Sequence, residues 1–85
     1  MTHHTLKSWP HFFAPAYGGF KTFELRKNDR NFKINDTITL REWSPLTEQY
    51  SGKELDGIIT YVAKEVGEYL RPGYVAFSFT PSVWR

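Results

Sequence analysis

Five short segments of alternating apolar and polar residues, each cut off by glycine, proline or an Asn/Asp cluster, confine this chain to a small β-structure. The first is Thr5 to Trp9. The second is Lys21 to Lys27, with Phe23 and Leu25 on one face and Thr22, Glu24 and Arg26 on the other. Phe23 and Leu25 are expected to anchor that strand. Asn28-Asp29-Arg30-Asn31 is turn material, and Ile34-Asn35-Asp36 makes a second turn. Thr37 to Trp43 follows, with Ile38 and Leu40 on one face and Thr37, Thr39 and Arg41 on the other. Ser44-Pro45 stops it, and a polar loop runs to Gly52. Lys53 to Ala63 carries β-branched Ile58, Ile59, Thr60 and Val62 at its centre. Lys64 to Pro72 is a connection with room for a helical turn. Gly73 to Thr80 is the last strand, with Val75, Phe77 and Phe79 on one face, and Pro81 ends it.

One helix interrupts this series. Pro10 suits a first helical turn, where its missing N–H is no loss. His11 to Tyr17 continues it, and Gly18-Gly19 ends it. Pro15 lies inside and removes a hydrogen bond, so a short, kinked or partly 3₁₀ segment is expected. Trp9, Phe12, Phe13 and Tyr17 recur near helical spacing, a pattern that belongs to core more often than to a base-stacking surface.

Five strands and a short helix make a mainly β, α+β fold. It most economically curls into a small, partly open β-barrel with a cleft. All 85 residues fit one domain, 1–85. So small a domain buries only roughly 60–65% of its unfolded surface. Seven Phe, five Tyr and three Trp compensate, each ring removing on the order of 150–250 Å² from water when buried. No cysteine is present, which excludes disulfides, thiolate metal sites and a cysteine nucleophile. No apolar run approaches the roughly 20 residues that span a bilayer, and the first residues lack the apolar stretch of a signal peptide. A cytoplasmic protein without cofactor is the expectation.

The formal charge is only +2. It is unevenly placed: Lys21, Arg26, Lys27, Arg30 and Lys33 stand against Glu24 and Asp29, a local surplus of three. Within this stretch, Gly19 to Arg26 is the most informative. Its spacing puts Glu24 and Arg26 on one strand face, with Lys21 entering from the glycine pair. Arg26 can fork onto phosphate or carboxylate, and Glu24 can orient Arg26 or accept from the edge of a base. An internal ion pair that fixes barrel geometry is the competing reading.

Gly19-x-Lys21-x-x-Glu24-x-Arg26 resembles the GxKxxExR signature of ASCH domains, a branch of the PUA-like superfamily. The similarity extends to His4-x-Leu6-Lys7, to Lys27-Asn28-Asp29-Arg30, to Leu40-Arg41-Glu42-Trp43 and to Gly73-Tyr74-Val75, as in a small single-domain bacterial and phage branch of unsettled function. The resemblance implies a small barrel with a helix beside a cleft, and binding of RNA or a nucleotide. It places Lys21, Glu24 and Arg26 in the cleft and Asn28, Asp29 and Arg30 on its rim. His4 matches a family histidine, and one expectation is that it approaches the cleft; an ordinary hydrogen-bonded strand histidine is the other reading. Pro15 and Asn35 depart from the family pattern, which favours a more helical residue and a glycine. One ASCH branch is an amidohydrolase of acetylated cytidine nucleosides that uses the signature lysine and a threonine. Here Glu24 replaces that threonine, leaving Thr22 as a weak substitute on the same strand face.

Other residues complete the candidate surface. Lys7, Lys27 and Arg30 are further backbone contacts. Arg41, Trp43, Tyr74 and Trp84 are candidates for cation-assisted base stacking, with the plugging of barrel ends as the alternative for Trp43 and Tyr74. His3, His4 and His11 lack the carboxylate spacing of a metal site, so no metal is expected. Gly18-Gly19 lacks the Gly-Lys-Ser/Thr of a phosphate loop. The leading expectation is therefore an RNA- or nucleotide-binding module. A small hydrolase of modified nucleosides or RNA, in which Lys21 and Glu24 do acid–base work, is the second. A protein-interaction domain is the third.

Overall fold

The computed structural model describes residues 1–64 and 70–85, and most of the expected connection from Lys64 to Pro72 lies outside them. The elements run β1 (His3–Ser8), α1 (Pro10–Tyr17), β2 (Phe23–Lys27), β3 (Thr37–Ser44), β4 (Gln49–Lys64) and β5 (Tyr74–Trp84). The strands form one five-stranded sheet in the order β1-β3-β4-β5-β2. β1 runs parallel to β3, and the other neighbours are antiparallel. β1 and β2 are therefore the terminal strands. Yet Arg26 of β2 reaches the Lys7 carbonyl of β1 at 2.6 Å, and Arg30 reaches the Thr5 carbonyl at 3.0 Å. The sheet must curl to bring its two ends so close, which makes it a partly open barrel.

Alternation along the strands fills the concave side. His4, Leu6 and Ser8 of β1 point in, as do Ile38 and Leu40 of β3, Leu55 and Ile59 of β4, and Val75, Phe77 and Phe79 of β5. Phe13 and Ala16 of α1 close the core from one side. Phe32, from the irregular segment between β2 and β3, inserts its ring between His4 (4.6 Å between centroids) and Phe77 (4.9 Å). At Gly57, a Cβ would lie 2.9 Å from the Phe79 ring and 3.0 Å from the Thr80 carbonyl, so only glycine fits this approach of β4 to β5. The pairing register shifts beside it, between Asp56 and Gly57.

Several segments depart from the sequence expectation for physical reasons. The polar loop expected up to Gly52 is a tight turn instead: the Ser44 carbonyl accepts from Glu48 N (2.8 Å) and the Ser44 hydroxyl from Leu46 N (3.2 Å). β4 resumes at Gln49, opposite Ser44. Its first turn-proximal residues project past the core, so they carry no apolar alternation. β5 does not end at Pro81 but runs on to Trp84. Pairing with β2 stops at Ser78, so at Pro81 that edge has no ladder for a missing N–H to break. β1 begins earlier than expected, at His3, and β2 later, at Phe23. The segment around Pro15 is α-helical throughout, with i→i−3 bonds only appearing at its ends, from Phe12 N to Trp9 O and from Gly19 N to Ala16 O. Asn35 sits at φ 75°, a left-handed conformation that asparagine tolerates, which explains why it can stand where a glycine was expected. Among the described residues no helix is long and apolar enough to cross a membrane.

Candidate functional site

The site begins with the way α1 stops. Phe20 N donates to Pro15 O (2.9 Å) and Gly19 N to Ala16 O (3.0 Å), the paired bonds of a Schellman cap. Gly19 supplies the left-handed residue this cap needs, at φ 85°. The cap reverses the chain so that Lys21, whose N–H also reaches Pro15 O, emerges beside the start of β2. Glu24 and Arg26 then alternate along β2 on the face that turns inward. Glu24 and Arg26 do share a face, but Phe23 and Leu25 do not anchor the other one in the core: they are 55% and 61% exposed, while Glu24 is 4% exposed. The inversion follows from β2 being a terminal strand of a curled sheet. Its outer face has no covering layer, and its inner face meets two cations rather than hydrocarbon.

Glu24 is the centre of the constellation. Its Oε1 accepts from Arg26 Nε at 2.9 Å, and its Oε2 accepts from Lys21 Nζ. The buried carboxylate thus carries one cation on each oxygen, the condition under which a buried charge is tolerated. Arg26 spends a second donor on the Lys7 carbonyl. Arg30, beside Asp29 at 3.8 Å, spends one on the Thr5 carbonyl. Thr5 and Lys7 present these carbonyls on the free edge of β1, so guanidinium groups replace the strand that a closed barrel would have there.

Above this floor lies a cleft of about 800 Å³. It is bordered by Lys7, Lys21, Glu24, Arg26, Lys27, Asp29, Arg30 and Tyr74 among the polar and stacking candidates. Trp9, which caps α1, lines the cleft with Phe12 and Pro15 of that helix, as do Phe23 and Leu25 of β2. Trp9, Phe12 and Phe23 are each about half exposed. The volume suits a small-molecule site, and the lining is mainly apolar with a few convergent charges.

The remaining candidates lie elsewhere. His4 is buried behind Phe32, with Nε2 donating to Asp36 Oδ2 at 2.8 Å. Burial pushes the Asp36 carboxyl up, but the His4 hydrogen bond and the N–H groups of Thr2 and Lys33 outweigh it and hold the group below its ordinary value. Asn28 fastens its turn to the start of β5 through a 2.8 Å bond from its N–H to the Gly73 carbonyl. Arg41, on β3, pairs with Glu54 at 3.0 Å and lies over the Tyr50 ring at 3.7 Å. Trp43 lies under Lys7 Nζ, 4.2 Å from its ring centre. Thr22 is exposed and does not border the cleft. Trp84 donates to the Tyr17 carbonyl at 2.8 Å, and His3 lies between the hydroxyls of Thr37 and Thr39.

Sequence reasoning missed Ser8 and assigned Trp9 and Phe12 to core. Ser8 ends the inward series of β1, is 3% exposed, borders the cleft, and leaves its hydroxyl without a hydrogen-bond partner. The signal for the aromatics was their spacing. Phe13 and Ala16 are three apart and take the core side of a helix of 8 residues, so Trp9, Phe12 and Pro15, also three apart, share a different face.

A protein of Escherichia phage P2, described as an uncharacterized 12.9 kDa protein in the GpA 3′ region, is 34% identical to this chain over 59 residues. That match covers 69% of this chain and 52% of the phage protein, so the chain spans about half the length of this relative. Residues 3–79 match the family described as Domain of unknown function (DUF3850), and this chain belongs to that family.

Proposed function

We propose that this chain is an RNA- or nucleotide-binding module of the ASCH type, a PUA-like barrel that acts in the cytoplasm and holds its ligand in the cleft above Glu24. The observation that carries this reading is a paired carboxylate with a cation on each oxygen, set beneath half-exposed aromatic side chains. Aromatic walls accept the face of a base, and the cations accept phosphate or the base's edge. Lys7, Lys27 and Arg30 border the same cleft and extend the positive surface along a strand. Binding is favoured over hydrolysis of a modified nucleoside or RNA because the Ser8 hydroxyl, which borders the cleft, has no base bonded to it, and Thr22 does not border the cleft. Fluorescence anisotropy with short single-stranded RNAs tests the reading. With about three to five phosphate contacts, log K falls against log salt with a slope of roughly −2 to −3.5. Binding that is indifferent to salt contradicts it.

A further inference from the structure

We propose that the cleft selects a uracil-type imide, a planar ring edge in which one N–H stands between two carbonyl oxygens. The inference rests on the nucleotide-binding reading above and names the base. Its ground is the order of groups on the floor: Lys21, then Glu24, then Arg26, with one cation bonded to each carboxylate oxygen. An ammonium has three donors, and Lys21 uses one on Glu24; a guanidinium has five, and Arg26 gives one to Glu24 and one to the Lys7 carbonyl. A carboxylate has about four acceptor sites, of which these bonds occupy two. The floor therefore still offers donor, acceptor, donor in that order.

Only one of the common base edges complements it. Uracil presents acceptor, donor, acceptor through O4, N3–H and O2. Cytosine sets the N3 lone pair against the carboxylate, and its amino group against a cation. Adenine does the same with N1 and its amino group. Guanine fits with O6 and N1–H, then opposes its amino group to the remaining cation. Each mismatch leaves a buried charged group facing its own kind, which is the strongest means of rejection open to such a site.

Two further features fit a planar ring. Trp9, which caps α1, Phe12 of α1 and Phe23 of β2 are half-exposed and border the cleft, so aromatic surface is available beside a ring seated on the floor. Ser8, buried on the floor with its hydroxyl unpartnered, gains a partner from a ring carbonyl, directly or through one water.

The test is a calorimetric panel on the wild-type chain at low salt, so that it does not depend on any variant folding. The ligands are the 5′-monophosphates of uridine, cytidine, adenosine, guanosine and 3-methyluridine, together with hexamers of U and of C. Uridine monophosphate binding at least about ten-fold more tightly than the other four supports the proposal and identifies a free nucleotide as a sufficient ligand. The U hexamer bound over the C hexamer by the same factor, with no monophosphate bound, supports it for a base within a strand. Equal binding of all bases, or undiminished binding of 3-methyluridine monophosphate, overturns the imide while leaving nucleotide binding in place. Failure of every ligand overturns both. Glu24→Gln, examined where it remains folded, reduces the preference for uridine over cytidine below about three-fold, because an amide can present either a donor or an acceptor.

Discussion

Arg26 donates through Nη2 to the carbonyl of Lys7 at 2.6 Å, and this bond joins the two terminal strands of the curled sheet. The same guanidinium holds Glu24 through Nε. One side chain therefore closes the barrel seam and neutralises half of the charge beneath the cleft. The internal ion pair is present in the fold, and the proposed binding draws on the same groups.

Arg26→Ala leaves Glu24 with Lys21 as its only cation and uncovers the Lys7 carbonyl. The Arg26 side chain is 25% exposed, so the loss falls between that of a surface pair and that of a buried one, about 1–3 kcal/mol. Urea unfolding reads it as a lower midpoint at unchanged m-value. Arg26→Lys does not restore stability, because an ammonium lacks the planar fork that spans Glu24 and the β1 carbonyl. A midpoint equal to wild type in both variants shows that the seam contributes nothing.

Asp36 confers an acid-sensitive part of the stability. Its folded-state carboxyl lies below the ordinary value of 3.8, chiefly because hydrogen bonds from His4, Thr2 and Lys33 overcome the burial that opposes ionisation. A depressed carboxylate stabilises the fold above the unfolded-state value and loses that contribution as the pH falls through the folded one. Asp36→Asn is therefore less stable than wild type at pH 7, and the difference between the two shrinks below about pH 4. Chemical unfolding at a series of pH values measures it. A difference that stays constant down to pH 2 contradicts the assignment.

Gly57→Ala forces a methyl group to within 2.9 Å of the Phe79 ring and 3.0 Å of the Thr80 carbonyl. One of these contacts is backbone, which cannot swing away, so the substitution destabilises by about 1–3 kcal/mol. Gly52→Ala is a useful contrast: nothing lies within 4 Å, and its penalty arises from φ 97° alone. Thermal unfolding of the two variants, with hydrogen exchange at Ile59 and Phe79, separates a packing clash from a backbone effect. Normal exchange protection at both residues in Gly57→Ala excludes the clash.

The strands were legible where alternation met the core. Ile38 with Leu40, and Val75, Phe77 and Phe79, are the inward sets that their spacing predicts. The helix and its stop were legible for the same local reason, since Pro10 and Gly18-Gly19 act within one turn. The orientation of β2 was not. Its apolar residues face outward because two cations, Lys21 just before the strand and Arg26 within it, make the inward place habitable for Glu24, and hydrophobic alternation along five residues carries no trace of that pairing. The grouping of Lys21, Glu24 and Arg26 in the candidate site was legible through their spacing. The displacement of Arg41 and Trp43 from the cleft depends on β3 lying next to β1 rather than β2, a matter of strand order that no local pattern encodes.

Chemical-shift mapping of the ¹⁵N-labelled protein titrated with uridine monophosphate and with a U hexamer at low salt tests the central claim most directly. The account predicts that the shifted amides cluster at Ser8, Trp9, Phe12, Lys21, Glu24 and Arg26, around the cleft, and that Arg41, Tyr50 and Glu54 on β3 and β4 stay still. Shifts confined to Arg41, Tyr50 and Glu54, or no shifts with either ligand, contradict it.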